Sequence, residues 1–203
     1  MSQARTNPGP PIHSLMANRW SPRAFRNQPV EPETVRTCLE AARWAPSCFN
    51  EQPWYVIVGL RGEGDVHNRL ADCLVTQNQR WAPSAPVLML TVSKPTFDLD
   101  GRPNRHAQHD MGLATMNLML QAQALGLASH AMAGFKRKKA HEVFGIPEAH
   151  EPMAAIALGY PGDADTLPED LAEKEAAPRE RKPLADWVFG ERWGRPARLV
   201  ERP

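Results

Sequence analysis

Cysteine is scarce in this chain. Only Cys38, Cys48 and Cys73 occur, an odd number at wide spacing, which argues against a disulfide framework and for reduced thiols in a cytoplasmic setting. No excess of either charge exists: 24 basic and 23 acidic residues leave a formal +1. A nucleic-acid partner is therefore not expected, since that needs a basic face. A long uninterrupted apolar run is also missing. The most apolar stretch, Met111 to Met132, is broken by Asn117, Gln121 and Gln123, the pattern of a buried helix rather than a membrane span. The opening MSQARTNPGPP has no apolar signal-peptide core. Neither G-x-G-x-x-G nor G-x-x-x-x-G-K-[ST] occurs, which argues against a dinucleotide-binding Rossmann unit and against a P-loop.

What the chain does have is enough apolar content for one large core, 42% of 203 residues, without metal or disulfide staples. Twenty prolines favour many short, rigid connections. Residues 1–12 are Pro/Gly-rich and expected to be flexible, and 13–203 to form one domain. A short helix is expected over 12–18. VEPETVRTCLEAARWAP reads as a helix: Pro32 suits its first turn, Val35, Cys38, Leu39 and Ala42 share a face, and Pro46 stops it. Trp54–Leu60 and 86–93 are apolar, β-rich strands, with a helix over 66–81 between them. Residues 94–106 have turn chemistry and form a loop, a candidate lid. Helix 109–125, strand 128–133, a short helix ended by Gly145, and strand 153–160 follow. Residues 161–183 show no apolar face and read as an extended arm. The arm ends in Leu184, Trp187, Val188 and Trp193, which need an apolar surface to cover them, a second subunit being one candidate. The sum is an α+β protein with a central, mostly antiparallel sheet flanked by helices.

Three stretches are candidates for chemistry. In RWSPRAF, residues 19–25, Arg19, Ser21 and Arg23 alternate, so an extended backbone points them the same way. Two guanidinium forks and a hydroxyl suit a phosphate, although on this motif alone a solvated strand is the default reading. PRERKPL repeats the theme with Arg179 and Arg181. In APSCFNEQPW, Pro46 and Pro53 stiffen a turn that offers Ser47, Asn50 and Gln52. Such a turn either reads the edge of a flat heterocycle or satisfies its own backbone.

These motifs, in this order, resemble the nitroreductase family of flavin enzymes. RWSPRAF, ARWAPSCFNEQPWYVIV, DMGLATMNLMLQAQALGLASHAMAGF, FGIPEAHEPMAAIALGYP and PRERKPLADWVF carry the similarity over about residues 13 to 195. The resemblance implies FMN, a homodimer with flavin at the subunit interface, and an exchanged C-terminal arm over 161–203. It implies that Arg19, Ser21 and Arg23, with backbone from Trp20, meet the phosphate and ribityl chain, and that Arg179 and Arg181 clamp the phosphate. Pro46, Ser47 and Asn50 match the loop laid against the partner's ring. Ala133 and Gly134 match backbone over the ring, and Asn78 a side chain at the pyrimidine edge. Where relatives often carry a lysine, this chain has Trp81 nearby.

The implied activity is reduction of nitroaromatics, quinones or similar flat acceptors by NADH or NADPH in alternating turnover, with the flavin rather than a protein acid doing the redox step. Reductive dehalogenation, dehydrogenation, flavin cleavage and a non-catalytic flavin carrier remain alternatives within the same fold. His106, His109 and Asp110 form H-x-x-H-D, which fits a capping Asp beside two histidines better than a metal site, since no third ligand supports one. The run Lys136–Lys139 reads as a solvated helix face that would also attract the phosphates of a dinucleotide. Cys48 reads as a small space-filler.

Overall fold

The computed structural model describes residues 9–200; the expectation for the first eight residues lies outside the described range. Its centre is a four-stranded sheet of β1 (Trp54–Leu60), β2 (Val87–Ser93), β3 (Ala128–Met132) and β4 (Glu151–Gly159), in the order β1-β2-β4-β3. Every neighbouring pair is antiparallel.

All seven residues of β2 are buried, because helices cover both faces of the sheet. Side chains alternate across a strand, so Val87 and Met89 enter one core and Leu88, Leu90 and Val92 the other. The first core is closed by α2 (Pro32–Arg43) and α5 (Ala107–Ala124). Helix α2 presents Val35, Cys38 and Ala42 to it, and α5 presents Met111, Ala114, Leu118 and Ala122. Asn117 of α5 donates to the Ala41 carbonyl at 3.2 Å, tying the two helices together. Burial pushes the Cys38 thiol up to about 11, so this cysteine is a packing residue.

The second core lies under α3 (Val66–Cys73) and α6 (Arg137–Phe144), with Phe25, Trp81 and Leu171. Pro152 is tolerated inside β4 because the register shifts between Thr91 and Val92. There the Thr91 hydroxyl takes over, accepting from the Ala154 amide at 3.0 Å and donating to the Ala154 carbonyl at 3.1 Å.

Four elements differ from expectation. The helix expected over 66–81 is broken: α3 ends at Cys73, Leu74 is extended, and a short α4 follows at Thr76–Gln79. Leu74 instead bridges to Phe135, and the Val75 amide donates to the Gly134 carbonyl at 3.1 Å. The stretch read as an extended arm contains α7 (Glu169–Ala176), with Pro168 at its N-cap, Glu169 and Asp170 in its first turn and Leu171 buried. Strand β4 begins at Glu151 and helix α5 at Ala107, each two residues early. The remaining helix, α1 (Ser14–Asn18), falls within the expected span.

Among the described residues, no helix is long and apolar enough to cross a membrane.

Candidate functional site: an arginine-lined cavity

The segment 19–25 leaves α1 at Arg19, which is already extended (φ −63°, ψ 125°). It is pinned downstream to the chain beyond β4. The Arg26 amide donates to the Tyr160 carbonyl at 2.9 Å, and the Gly162 amide to the Ala24 carbonyl at 2.8 Å. The approach at Gly162 is so close that a Cβ there would lie 2.8 Å from the Phe25 carbonyl carbon.

The chain after α7 crosses in front of this segment. Together they enclose a cavity of about 280 Å³, lined by Arg19, Trp20, Ser21 and Arg23 on one side and by Lys174, Glu175, Ala177, Pro178, Arg179 and Arg181 on the other. Both arginine pairs singled out in the sequence thus meet. Five basic side chains face one carboxylate, a formal excess of +4 at the wall. The consequence is visible at Arg19. Burial first, then the charges of Arg181 and Arg179, hold its guanidinium below the ordinary value. A charge crowded by like charges in a partly buried place is relieved by an anion. The Arg19 Nη1 also reaches the Ser21 hydroxyl at 3.3 Å.

The arginines are not equivalent. Arg179 donates to the Arg19 carbonyl at 2.7 Å and to the Ala17 carbonyl at 2.9 Å, so it fixes the backbone of the opposite wall. Arg23 is held by Glu175, which accepts its amide at 3.0 Å and pairs with its guanidinium at 3.7 Å. Arg181 donates to the Glu180 carbonyl at 2.6 Å.

The other expected site residues fall into two separate places. Asn78 donates from Nδ2 to the Gly134 carbonyl at 3.0 Å, which leaves its Oδ1 as an acceptor. A Cβ on Gly134 would lie 2.6 Å from that Nδ2 and 2.9 Å from Val75 Cγ2. Glycine is thus required where Ala133-Gly134 passes Asn78. Trp81 does not face the cavity: it is 3% exposed, stacked on Phe25 and against His130.

Pro46, Ser47 and Asn50 belong to a turn that the structure does not bring into the cavity. Here Phe49, Asn50 and Gln52 have φ of 53°, 57° and 53°. Such left-handed backbone costs on the order of 1 kcal/mol for a residue with a Cβ. The turn is held in spite of that. The Ser47 hydroxyl accepts the Gln52 amide at 2.9 Å, and the Asp110 carboxylate accepts the Cys48 amide at 2.9 Å. Asp110 therefore caps this turn rather than its own helix, whose N-cap position is His106. The 94–106 loop is bound to the same turn, through Glu51 with the Asp98 amide and through Phe49 and Phe97, edge to face at 6.1 Å. Phe49 nonetheless stays 91% exposed.

Sequence reasoning missed Lys174, Glu175 and His130. The first two sit in a stretch without apolar periodicity, and His130 is a lone histidine in an apolar strand. Lys136–Lys139 lie at the start of α6, with Lys138 near Glu142 and Lys139 on the Asp72 carbonyl. Among the described residues, no three His, Cys, Asp or Glu side chains are grouped to hold a metal ion.

The fold and the cavity together define an α+β protein with a strongly cationic cavity beside its sheet. Comparison with known proteins gives it a family. The model of the nitroreductase family matches residues 16–83 and 66–160, and the chain belongs to that family of oxidoreductases. A crystal structure described as an oxidoreductase containing FMN is 34% identical, superposes with a TM-score of 0.88, and covers 95% of this chain and 98% of its own. A nitroreductase family protein from Clostridium difficile 630 is 30% identical with a TM-score of 0.67, covering 88% and 96%. A protein of Archaeoglobus fulgidus carrying the provisional name NADH dehydrogenase/NAD(P)H nitroreductase is 27% identical over 153 residues, 73% of this chain and 84% of that one.

Proposed function

We propose that this protein is an FMN-dependent oxidoreductase that uses NADH or NADPH to reduce flat, electron-poor acceptors such as nitroaromatics and quinones. The observation that carries the reading is the meeting of Arg19, Arg23, Arg179 and Arg181 around one cavity. A phosphate monoester suits that donor set, because guanidinium forks bind it in two-pronged fashion. It also offsets the like-charge crowding at Arg19.

When bound, FMN supplies the redox chemistry, hydride acceptance from the nicotinamide at N5 and onward electron transfer to the acceptor in alternation. The chain's own part is binding and orientation. Arg19 and Arg181 would meet the phosphate, Ser21 the adjoining hydroxyls, and Arg179 would hold the wall in place. Asn78, Ala133 and Gly134 would meet the ring, Asn78 through its remaining acceptor. No protein acid or base is assigned.

The working unit in this proposal is a homodimer. Residues 13–203 form one flavin-binding unit whose 161–203 segment is an arm, and the stiff turn at Pro46, Ser47 and Asn50 lies against the partner's flavin. Support comes from large apolar side chains left in solvent: Phe49 and Trp193 are each 91% exposed and Trp187 60%. Such groups usually mark a contact surface. A reducing, cytoplasmic setting is part of the reading, supported by three free cysteines.

The test is direct. Freshly purified protein should carry a flavin absorption band. Heat should release FMN, and NADPH added without oxygen should bleach the band until a quinone or nitroarene restores it. Colourless protein that takes up no FMN would contradict the reading.

A further inference from the structure

His130 is placed to serve the cavity without touching it. It lies on β3 opposite Ala157 of β4. Its ring packs 4.6 Å from Trp81, and its Nδ1 is 2.9 Å from the Pro22 carbonyl. A carbonyl oxygen only accepts, so Nδ1 carries the proton and donates. Pro22 has no amide hydrogen, and it is fully buried. At Pro22 itself the carbonyl is therefore the one backbone group that can be anchored, and His130 also reaches the backbone of Ser21 beside it. No strand pairing anchors this stretch, since the ladder-like contacts begin at Ala24, Phe25 and Arg26.

The anchors upstream are side chains from β3, α7 and the chain after α7. Arg179 holds the carbonyls of Ala17 and Arg19, His130 holds that of Pro22, and Glu175 holds the amide of Arg23. The His130 anchor sits between the two cavity arginines in sequence. The charged groups that face it are Arg23 and Arg19; burial first, and then those two charges, push its imidazole down to about 4. A neutral ring donates a hydrogen bond there without adding to the positive crowding that a lysine or arginine would worsen.

We propose that His130 is a positioning residue for phosphate recognition, its Nδ1–H fixing the Pro22 carbonyl so that Arg19 and Arg23 both present to the cavity. This rests on the FMN reading above. If the tie is lost, a buried carbonyl is left without a partner, the segment shifts to find one, and the phosphate loses aligned donors while the ring contacts persist.

The test compares FMN with riboflavin, which lacks the phosphate, by equilibrium dialysis against cofactor-stripped protein. Two variants are needed. His130→Asn keeps an N–H at nearly the same reach, and His130→Leu removes it. Wild type should prefer FMN, His130→Leu should lower the FMN-to-riboflavin affinity ratio by about tenfold, and His130→Asn should restore most of it. A role limited to stability would lower the melting temperature and leave the ratio unchanged, which overturns the proposal. So would a His130→Asn variant as impaired as His130→Leu. If wild type itself shows no preference for FMN, the FMN reading fails and takes this inference with it.

If His130→Leu does not fold, NMR on wild type decides. Inorganic phosphate should raise the titration midpoint of His130, because it offsets the charge of Arg19. An unmoved midpoint at saturating phosphate overturns the proposal.

Discussion

Arg23 and Glu175 are joined twice. One carboxylate oxygen of Glu175 accepts the Arg23 amide at 3.0 Å and lies 3.7 Å from its guanidinium, and the Glu175 side chain is only 10% exposed. A carboxylate at the wall of a cationic cavity works against anion binding, yet it docks α7 onto the segment that carries the arginines. The two roles separate by substitution. Glu175→Gln keeps an acceptor and removes the charge, so FMN should bind a few-fold more tightly. Glu175→Ala removes the acceptor as well, and urea unfolding should show a loss of about 1–3 kcal/mol.

Arg19 is crowded by Arg179 and Arg181 when no anion is present. Arg19→Gln should therefore leave the cofactor-free protein within about 0.5 kcal/mol of wild type. The stabilisation that FMN adds to wild type should be largely missing in the variant. Thermal melts with and without FMN measure both effects.

The pH response follows from His130. Its folded value of about 4 lies below the ordinary 6.5, so between these limits the unfolded chain binds more protons. Stability then falls as pH drops through that window, by up to on the order of 3 kcal/mol from this one group. His67 is lowered in the same direction by its burial, so wild type alone does not isolate His130. The difference between wild type and His130→Asn does, and it should shrink from pH 7 to pH 4 as the wild type loses its advantage.

Gly134 tests the contact at the second group of site residues. Gly134→Ala drives a methyl against Asn78 Nδ2 at 2.6 Å and Val75 Cγ2 at 2.9 Å. The expected loss is about 1–3 kcal/mol. Part of it should be recovered in an Asn78→Ala background, because the two sites are in contact. Additive losses in the double-mutant cycle would mean the Asn78 side chain is not the obstacle.

Trp193 should matter to assembly more than to the fold. It is 91% exposed and touches Phe189 edge to face at 5.0 Å. Trp193→Ala should shift sedimentation of the proposed homodimer towards monomer at low micromolar concentration, with little change in far-ultraviolet circular dichroism.

Strands were the most legible part of the chain. Val87–Ser93 and Trp54–Leu60 are compact apolar runs, and their two-residue alternation divides between two cores. Helix α2 announced itself by Pro32 at its start and one apolar face. The break after α3 was not legible: Val66, Leu70, Cys73 and Leu74 continue a helical face, and the interruption is imposed from outside by Phe135 and Gly134. Helix α7 escaped because a helix that buries a single residue, Leu171, carries no periodic stripe. Its N-terminal signals, Pro168 followed by two acids, were present and local. At the cavity the alternating arginines were legible, because alternation survives in any extended segment. Their fixtures were not. Glu175 and His130 act from elements more than 100 residues away, and nothing in sequence order joins them to Pro22 or Arg23.

The central claim is that the arginine-lined cavity holds the phosphate of FMN. Calorimetric titration of cofactor-stripped protein with FMN, run on wild type and on the Arg19→Ala/Arg181→Ala double variant, tests it most directly. The account predicts one FMN per chain for wild type and binding weakened by at least about a hundredfold for the folded double variant. Undiminished, stoichiometric FMN binding by that variant would contradict it.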